Sequence, residues 1–332
     1  MRVGFLGAGT WGFCLSLLLV SNGHEVICWT RNSELKNLLS QGKEHPHLPG
    51  FSAKEGMQFT TDLFKAINGV DFVAEAVTAA GIRPLFEMMR SSYVPGVPIV
   101  MTSKGIEQDT GLILPEIACQ VLGTSVKPFV GLLSGPGYAK EVIANLPTSV
   151  VASAYNPSVM AQICTAFTTP TFRVYPNADI VGIAYGGALK NIIAIACGIS
   201  EGLRLGSSAK AALMTRGLHE IRKLALACGA KQETLYGLSG MGDLSLTCCS
   251  MTSRNTQFGF LLASGMTPKQ ATVKIDMVVE GAYTCISAMQ LSRKHNISMP
   301  ITESIYKILY ENMLPRDAVF SLMQRVIKEE HL

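Results

Sequence analysis

The sequence of 332 residues has few charged side chains and shows neither a run of basic residues nor an alternation of basic and aromatic residues. Only 16% of its residues are charged, and the formal net charge is +4. These values argue against a nucleic-acid-binding surface. The hydrophobic fraction of 48% is enough for a sizeable core and argues against disorder. The small positive excess slightly favours an anionic small molecule as a ligand.

Cysteine motifs are also missing. The nine cysteines are scattered, with no C-x-x-C pair and no Cys/His cluster at the spacing of a zinc site. We therefore expect buried thiols in a reducing compartment and no metal. No secretory segment leads the chain, and the longest apolar stretch, 180–203, contains Lys190, Asn191 and Glu201. This stretch is typical of a core helix, so we expect a cytoplasmic protein without a membrane span.

The pattern of short β-rich runs changes near residue 178, which predicts two domains. Residues 1–178 alternate strands and helical stretches, as a parallel sheet with helical crossovers requires, whereas residues 179–332 carry apolar residues at helical spacing. We therefore predict an α/β Rossmann-type dinucleotide-binding domain followed by an all-helical domain. The predicted strands are 3–6, 26–29, 71–77, 99–102, 130–133, 149–152 and 172–175. The predicted helices are 13–20, 180–198, 209–228, 283–294, 302–311 and 315–329.

A glycine-rich turn at residues 7–12 follows the first predicted strand and opens the first predicted helix. In such a turn Gly7 permits the tight bend, Gly9 lets backbone approach a pyrophosphate, and Gly12 lets helix and strand pack closely. The pyrophosphate then lies against free N–H groups at the positive end of the helix dipole. This context favours a dinucleotide site over a purely structural turn.

The carboxyl ends of the strands are where an open parallel sheet binds ligands. Arg31 occupies the position where an NAD-selective site usually has an acid, and it could pair with a 2′-phosphate or be a solvated loop residue. Lys104 follows another strand and points to the crevice, although without context a surface lysine is as plausible. The small-residue turn 134–139 could let backbone approach a ligand or be an ordinary turn.

The helical domain contains polar residues in otherwise apolar surroundings. Lys190 lies among small and apolar residues, so it either extends to the surface or lines a cleft with a lowered pKa. Asp243 follows a glycine-rich segment, and Arg254 beside Asn255 could bind a phosphate through several donors. Glu280, near a helix start, is either a ligand contact or a capping acid.

Together these segments make the chain similar to the bacterial NAD(P)-dependent glycerol-3-phosphate dehydrogenases over nearly its whole length. The motifs that carry the resemblance occur in a specific order and spacing: 7–12, 103–105, 133–136, 187–191, 240–244, 253–255, 279–281 and 299–303.

The resemblance implies the reversible NAD(P)H-dependent reduction of dihydroxyacetone phosphate to sn-glycerol 3-phosphate, which supplies phospholipid synthesis, with NADPH or NADH as cofactor. It also allows a homodimer. By position it makes Lys190 the general acid/base. The implied substrate contacts are Lys104, Gly135, Gly137, Lys190, Asp243, Ser253, Arg254 and Asn255. The implied cofactor contacts are Thr10, Trp11, Arg31, Lys104, Ala139, Arg254, Val278 and Glu280, besides Gly7, Gly9 and Gly12.

Two positions depart from the family pattern. Gly137 stands where a small hydroxyl residue is common, so only a backbone contact is expected there. Glu75 lies in a predicted central strand where the family usually has an aliphatic run followed by proline. A buried carboxyl needs a partner or a raised pKa, and the sequence names no partner.

Two alternative functions share the glycine-rich turn. A related hydroxyacid or ketopantoate-type dehydrogenase would have a carboxylate-binding pocket in place of the phosphate-binding residues. A non-catalytic protein that senses dinucleotide would have no need to combine Lys190 with Asp243, Arg254 and Asn255.

Overall fold

The computed structural model describes residues 1–327, 329 and 330, and they pack as two compact units. The first unit comprises residues 1–103 and 114–180. The second comprises residues 104–113 and the described residues from 181 onward. The segment 104–113 therefore packs with the helical unit, although it lies within the first domain predicted from the sequence.

The first unit contains a twisted sheet of eight strands and a separate two-stranded hairpin. In chain order the strands are β1 (Arg2–Leu6), β2 (Glu25–Trp29), β3 (Glu44–His45), β4 (Leu48–Ser52), β5 (Met57–Thr60), β6 (Phe72–Glu75), β7 (Ile99–Met101), β8 (Val130–Ser134), β9 (Thr148–Ala154) and β10 (Phe172–Pro176). The spatial order is β10-β9-β8-β7-β6-β1-β2-β5, and β3 pairs with β4. All seven predicted strands are present within a few residues.

One pair of neighbours corrects the expected parallel sheet, because β9 runs antiparallel to β8 while the other six pairs are parallel. The connection between β8 and β9 contains only the five-residue helix Ala139–Ile143. Such a helix rises about 8 Å, whereas a five-residue strand spans about 16 Å, so it does not return the chain to the start of β8. The strands β3, β4 and β5 were not predicted.

Seven helices belong to the first unit: α1 (Thr10–Ser21), α2 (Ser33–Ser40), α3 (Leu63–Ile67), α4 (Ile82–Ser92), α5 (Leu114–Leu122), α6 (Ala139–Ile143) and α7 (Pro157–Phe167). The core between the sheet and these helices is formed by fully buried side chains that include Phe5, Phe13 and Phe167. The twelve residues of α1 are largely buried, so this helix lies in the core behind β1.

The second unit is helical, as predicted: α8 (Ile180–Gly202), α9 (Ser207–Ala227), α10 (Gln232–Leu235), α11 (Asp243–Cys249), α12 (Arg254–Ala263), α13 (Pro268–Ile275), α14 (Glu280–Lys294), α15 (Pro300–Tyr310) and α16 (Pro315–Met323). Helix α16 ends earlier than the predicted 315–329, and Lys328 lies outside the described residues. Beyond Met323, the side chains of Val326 and Ile327 are 84% and 96% exposed, so these two apolar residues provide no packing that would support a longer helix.

Helix α8 is the central element of the second unit. It is long and apolar enough to cross a membrane, but 94% of its apolar window is buried inside the structure, as in the core helix of a globular protein. Glycines let its neighbours approach closely. A Cβ at Gly198 would lie 2.0 Å from the carbonyl oxygen of Thr256, and one at Gly259 would lie 2.0 Å from that of Ile195. Helices α8 and α12 therefore meet backbone to backbone.

Candidate active site

The glycine-rich turn joins β1 to α1, and each of its glycines has a distinct steric reason. Gly7 has φ +115°, and a Cβ there would lie 2.6 Å from the carbonyl oxygen of Ala76. A Cβ on Gly12 would lie 1.9 Å from the carbonyl oxygen of Gly7. A Cβ on Gly9 would meet nothing within 4 Å among the described residues, so this glycine leaves open space above the turn. These are the three roles of a dinucleotide-binding turn.

The start of α1 fits a phosphate group. Gly9 precedes the helix without a side-chain cap, and the first turn carries no acidic residue. The Oγ1 atom of Thr10 is buried and has no hydrogen-bond partner among the described residues. Free N–H groups, an unpaired hydroxyl and the positive end of the helix dipole are the donors that a pyrophosphate needs. Trp11, the next residue, is half-buried at this turn.

Arg31 lies at the carboxyl end of β2, in the exposed loop before α2. The loop is held by Thr30, whose N–H donates to the carbonyl oxygen of Thr60 at 3.0 Å, and by Asn32, which caps α2. The guanidinium of Arg31 is therefore exposed, on a loop that these hydrogen bonds fix at the end of β2.

The turn after β8 contains the other first-unit candidates. Gly135 has φ +136°, and a Cβ there would lie 2.9 Å from the Cα of Val150. A Cβ added to Gly137 would lie 3.5 Å or more from its nearest neighbours, an ordinary van der Waals distance, so a small side chain would fit there. Ala139 opens α6. The sequence reasoning missed Ser134, whose buried Oγ has no partner among the described residues; a hydroxyl at the end of a strand, before a glycine, was the available signal.

The second unit brings two lysines onto one carboxylate. Lys190 Nζ on α8 donates to Asp243 Oδ1, and Lys104 Nζ donates to Asp243 Oδ2 at 2.6 Å. Lys190 also donates to Thr247 Oγ1 at 2.7 Å. The carboxylate side chain is 1% exposed and the two lysine side chains are 8% and 22% exposed, so Lys104 is the more accessible of the pair.

Thr247 is a site residue that the sequence reasoning missed. Its hydroxyl donates to the carbonyl oxygen of Asp243 at 2.6 Å, so its one proton is used and its lone pair is free to accept from Lys190. The available signal was its spacing, since Thr247 lies one helical turn after Asp243 and therefore on the same face of α11.

Opposing effects set the protonation of Lys190. Burial lowers its pKa, the charge of Asp243 raises it, and the positive charge of Lys104 lowers it again. The result is a pKa of about 8, well below the ordinary value for lysine. Near neutral pH this side chain is therefore a protonated amine that gives up its proton readily, which suits a general acid.

Local glycines place Asp243 beneath α8. A π-helical turn, Leu238–Gly242, leads directly into α11, and Asp243 is the first residue of that helix. A Cβ on Gly240 would lie 2.0 Å from the carbonyl oxygen of Leu235, and one on Gly186 of α8 would lie 2.9 Å from that of Ser239. Only glycines at these positions allow the turn to approach the helix that carries Lys190.

The segment 104–113, which carries Lys104, is attached to α14. Ser287 donates to the carbonyl oxygen of Ile106 at 2.8 Å, and Gln108 Nε2 donates to that of Tyr283 at 3.1 Å. An isolated bridge between Ile106 and Ile113 closes the segment into a loop. These bonds explain why Lys104 reaches Asp243 although 139 residues separate them in the chain.

The Ser253–Asn255 motif forms the start of α12. Ser253 caps the helix by accepting from the N–H of Thr256 at 3.3 Å. Asn255 donates to Asn191 Oδ1 at 3.1 Å and accepts from the N–H of Gly281 at 2.9 Å, so part of its amide serves the fold. Arg254 is exposed at the first position of the helix, and its guanidinium makes no such hydrogen bond among the described residues.

Glu280 is the first residue of α14 and interacts electrostatically with Arg254. Val278, two residues earlier, is 48% exposed. The structure therefore brings Arg254, Asn255 and the start of α14 together, besides the cluster of Lys104, Lys190 and Asp243. All of these residues belong to the second unit, whereas Arg31 and the glycine-rich turns belong to the first.

Glu75 has the partners that the sequence did not name. Its carboxyl group accepts from the N–H of Val77 at 3.0 Å and lies 2.8 Å from Ser103 Oγ and 3.3 Å from Ser103 N. Burial raises its pKa to about 7, against the lowering effect of these hydrogen bonds.

A glycine-rich turn of the dinucleotide-binding type in one unit and a buried lysine cluster in the other are features of a nicotinamide-dependent dehydrogenase. The model of the NAD-dependent glycerol-3-phosphate dehydrogenase N-terminus matches residues 2–160, and that of the C-terminus matches residues 179–320. The chain belongs to the NAD-dependent glycerol-3-phosphate dehydrogenase family.

Individual relatives agree with the family models. The chain is 59% identical over 331 residues to glycerol-3-phosphate dehydrogenase [NAD(P)+] of Protochlamydia amoebophila, covering 100% of this chain and 99% of the relative. It is 54% identical over 331 residues to the enzyme of the same name from Chlamydia pneumoniae, with the same coverage. The crystal structure of glycerol-3-phosphate dehydrogenase from Coxiella burnetii superposes with a TM-score of 0.93 at 36% identity, covering 98% of this chain and 99% of that one.

Proposed function

We propose that this chain catalyses the reversible reduction of dihydroxyacetone phosphate to sn-glycerol 3-phosphate, with a reduced nicotinamide dinucleotide as electron donor. The observation that carries the proposal is the buried Lys190, which shares the carboxylate of Asp243 with Lys104. Reduction of a ketone requires a proton donor and stabilisation of the developing alkoxide. The positively charged amines of this cluster can supply both.

The dinucleotide is assigned to the glycine-rich turn of the first unit, with Gly7, Gly9 and Gly12 shaping the backbone and Thr10 donating from its free hydroxyl. When bound, its reduced nicotinamide supplies the hydride. Arg31 is assigned to a 2′-phosphate, so NADPH is expected to serve at least as well as NADH.

Lys190 delivers the proton. In the reductive direction the carbonyl carbon gains the hydride and its electron pair, the carbonyl oxygen gains the proton from Lys190 Nζ, and the dinucleotide is oxidised. Lys190 is then neutral and regains a proton from water. In the reverse direction neutral Lys190 accepts the proton of the secondary alcohol, which its pKa of about 8 permits near neutral pH.

The substrate phosphate is assigned to Arg254, with Lys104 as a second positive group. Arg254 is exposed, carries five N–H donors in a planar fork and stands at the positive N-terminal end of α12. Binding energy from this remote phosphate would orient the carbonyl group, which is how phosphorylated substrates gain rate as well as affinity. The further assignments implied by the family pattern stay predictions: Gly135, Gly137, Asp243, Ser253 and Asn255 to substrate, and Trp11, Lys104, Ala139, Arg254, Val278 and Glu280 to cofactor.

The biological setting is proposed on the same basis. We place the enzyme in the cytoplasm, supplying glycerophospholipid synthesis, and take residues 1–178 and 179–332 as its dinucleotide-binding and substrate-binding domains. The homodimer that the resemblance allows is tested by light scattering, which compares the mass in solution with the chain mass of 35.6 kDa.

The test is the oxidation of NADPH and NADH with and without dihydroxyacetone phosphate, in the wild type and in Lys190→Met. Methionine is similar in length and suits the apolar surroundings, so the variant should fold and bind cofactor. Its kcat should fall by a factor on the order of 100 or more. The matched control is Lys210→Met, which removes a surface lysine paired with Glu201 on another helix and should leave kcat unchanged.

Other outcomes identify the alternatives. Turnover of ketopantoate or a β-ketoacid in preference to dihydroxyacetone phosphate would indicate a sister dehydrogenase. Cofactor binding without any turnover would indicate a dinucleotide sensor. A folded Lys190→Met variant with wild-type kcat would refute the assignment of Lys190 and leave Lys104 as the proton donor to test.

A further inference from the structure

Glu75 is a buried titratable group that the proposed chemistry does not use. It is the last residue of β6, with 0% exposure, and the register places Leu6 of β1 and Met101 of β7 beside it. Neither neighbour is titratable. Among the described residues no cation pairs with Glu75, and its carboxyl is hydrogen-bonded only by Val77, Ser103 and the backbone of Thr102. A carboxylate here would therefore be an uncompensated buried charge.

Counting protons on Ser103 favours a neutral carboxyl. Ser103 Oγ lies 2.6 Å from the carbonyl oxygen of Val77 and 2.8 Å from Glu75 Oε2. A hydroxyl has one proton, and a carbonyl oxygen can only accept. If Ser103 donates to Val77, the second contact is a hydrogen bond only when Glu75 carries a proton and donates it to Ser103. An ionised Glu75 would instead accept the hydrogen bond from the Ser103 hydroxyl. The shorter contact, between Ser103 Oγ and the carbonyl oxygen of Val77, would then have no proton.

The turn held by this network supports the glycine-rich turn. The N–H of Ala76, next to Glu75, donates to the carbonyl oxygen of Leu6 at 2.9 Å. The carbonyl oxygen of Ala76 occupies the space that a Cβ of Gly7 would need, at 2.6 Å. A shift in residues 75–77 therefore moves the backbone against which Gly7 packs.

We propose that neutral Glu75 is a positioning residue that holds the turn beneath Gly7 in its dinucleotide-binding conformation, so that ionisation of Glu75 weakens cofactor binding. The proposal rests on the dinucleotide site of the proposed function, and it adds that Glu75 is protonated when this site binds the dinucleotide tightly.

The direction follows from linkage. The pKa of Glu75 is about 7 without ligand, so the group titrates within the working range. A bound dinucleotide brings negative phosphates and excludes water at the adjoining turn, and both effects raise the pKa of a nearby carboxyl. By reciprocity, the neutral form binds the dinucleotide more tightly, and binding takes up protons.

The probe is NADH, because it lacks the titrating 2′-phosphate of NADPH. Its Kd is measured by calorimetry from pH 6.5 to 9. Burial lowers the pKa of His45, the imidazole bonded to the Ala8 carbonyl of the glycine-rich turn, from 6.5, so this imidazole is mainly neutral throughout that range. In the wild type Kd should rise roughly sevenfold across this range if binding raises the pKa of Glu75 by one unit. Glu75→Gln, which is permanently neutral, should keep the tight Kd at low pH and lose this rise.

The matched control is Glu220→Gln. Glu220 is also buried with a pKa raised to about 7, but it lies on α9 in the second unit and accepts from the N–H groups of Ile301 and Thr302. This variant should keep the wild-type pH dependence of NADH binding. If Glu75→Gln does not fold, proton uptake is measured in Lys190→Met, which removes the amine that also titrates in this range. In buffers of different ionisation enthalpy, NADH binding by this variant near pH 7.5 should still take up roughly half a proton for a one-unit shift in the pKa of Glu75.

Three results would overturn the inference: no net proton uptake by Lys190→Met, an unchanged pH dependence in folded Glu75→Gln, or a Kd in the Glu75→Gln variant weakened equally at every pH. If NADH binds at no pH, the dinucleotide site itself is wrong, and the role of Glu75 falls with it.

Discussion

Replacing Asp243 with asparagine tests the charge balance that sets the proton affinity of Lys190. The substitution keeps the shape of the side chain and an oxygen acceptor but removes the negative charge that both lysines share. Lys190 then has burial and the positive charge of Lys104 acting on it without compensation, so its pKa must fall further below about 8.

The size of the fall can be bounded. Two unit charges about 4 Å apart interact by about 4 kcal/mol at an effective dielectric constant of 20, and one pKa unit corresponds to about 1.4 kcal/mol. Allowing for the retained amide contact, we expect a drop of roughly two units. Near pH 7.5 about three-quarters of wild-type Lys190 is protonated, against about 3% in the variant, a loss of about 25-fold in the proton-donating form.

The assay is kcat/KM for dihydroxyacetone phosphate with NADH as a function of pH, because this parameter reports the pKa values of the free enzyme and substrate. Wild-type activity in the reductive direction should decline as pH rises through about 8, since the proposed donor is the protonated amine of Lys190. In Asp243→Asn the decline should lie roughly two units lower. Circular dichroism checks that the variant is folded.

Lys104→Met should shift the pKa of Lys190 in the opposite direction. Removing its positive charge takes away an effect that lowers the pKa of Lys190, so the decline should move to higher pH even though overall kcat/KM falls with the lost substrate contact. Declines at the same pH in the wild type and both variants would refute the account, and so would shifts in the same direction for both.

Three further predictions concern cofactor, substrate and packing. Arg31→Asp should shift the ratio of kcat/KM values toward NADH by raising the KM for NADPH, and an unchanged ratio would make Arg31 a surface residue only. Arg254→Ala should raise the KM for dihydroxyacetone phosphate far more than that for dihydroxyacetone, and equal losses would exclude a phosphate-specific role. Gly198→Ala should lower the free energy of unfolding in urea by more than about 2 kcal/mol, because its Cβ would lie 2.0 Å from the Thr256 carbonyl oxygen. Gly96→Ala, where a Cβ meets nothing within 4 Å of the described residues, is the control and should change stability little.

The features that could be predicted from the sequence are those with local causes. The glycine-rich turn was predicted because its steric demands fall within six consecutive residues, and the long helices because their apolar spacing is visible within one window. Strand β5 was missed because it is a short edge strand, and the β3–β4 hairpin contains Pro46, Pro49 and Gly50, which interrupt any alternation.

The sharing of Asp243 by two lysines could not be predicted, because it depends on contacts between segments 53 and 139 residues apart. Lys104 is the clearest example. Its position after β7 predicts a crevice residue of the sheet, whereas its segment is bonded to α14 and packs with the helical unit. The antiparallel pairing of β9 with β8 was missed for a similar reason. The short helix α6 is a local feature that turns the chain, but the strand with which β9 pairs is decided by the folded sheet.

With Lys190 as the proposed proton donor, the same charge balance explains why a lysine, rather than another base, suits position 190. An arginine keeps its proton above pH 12 and would stabilise an alkoxide without protonating it. A histidine starts near a pKa of about 6.5, and the same burial would leave it neutral at pH 7, with no proton to donate in the reductive direction. Lysine starts about four units higher. Burial beside Lys104 lowers its pKa and Asp243 limits the fall, so that the amine reaches a pKa of about 8 and remains largely protonated at pH 7, yet close enough to neutrality to take the proton back when the reaction reverses.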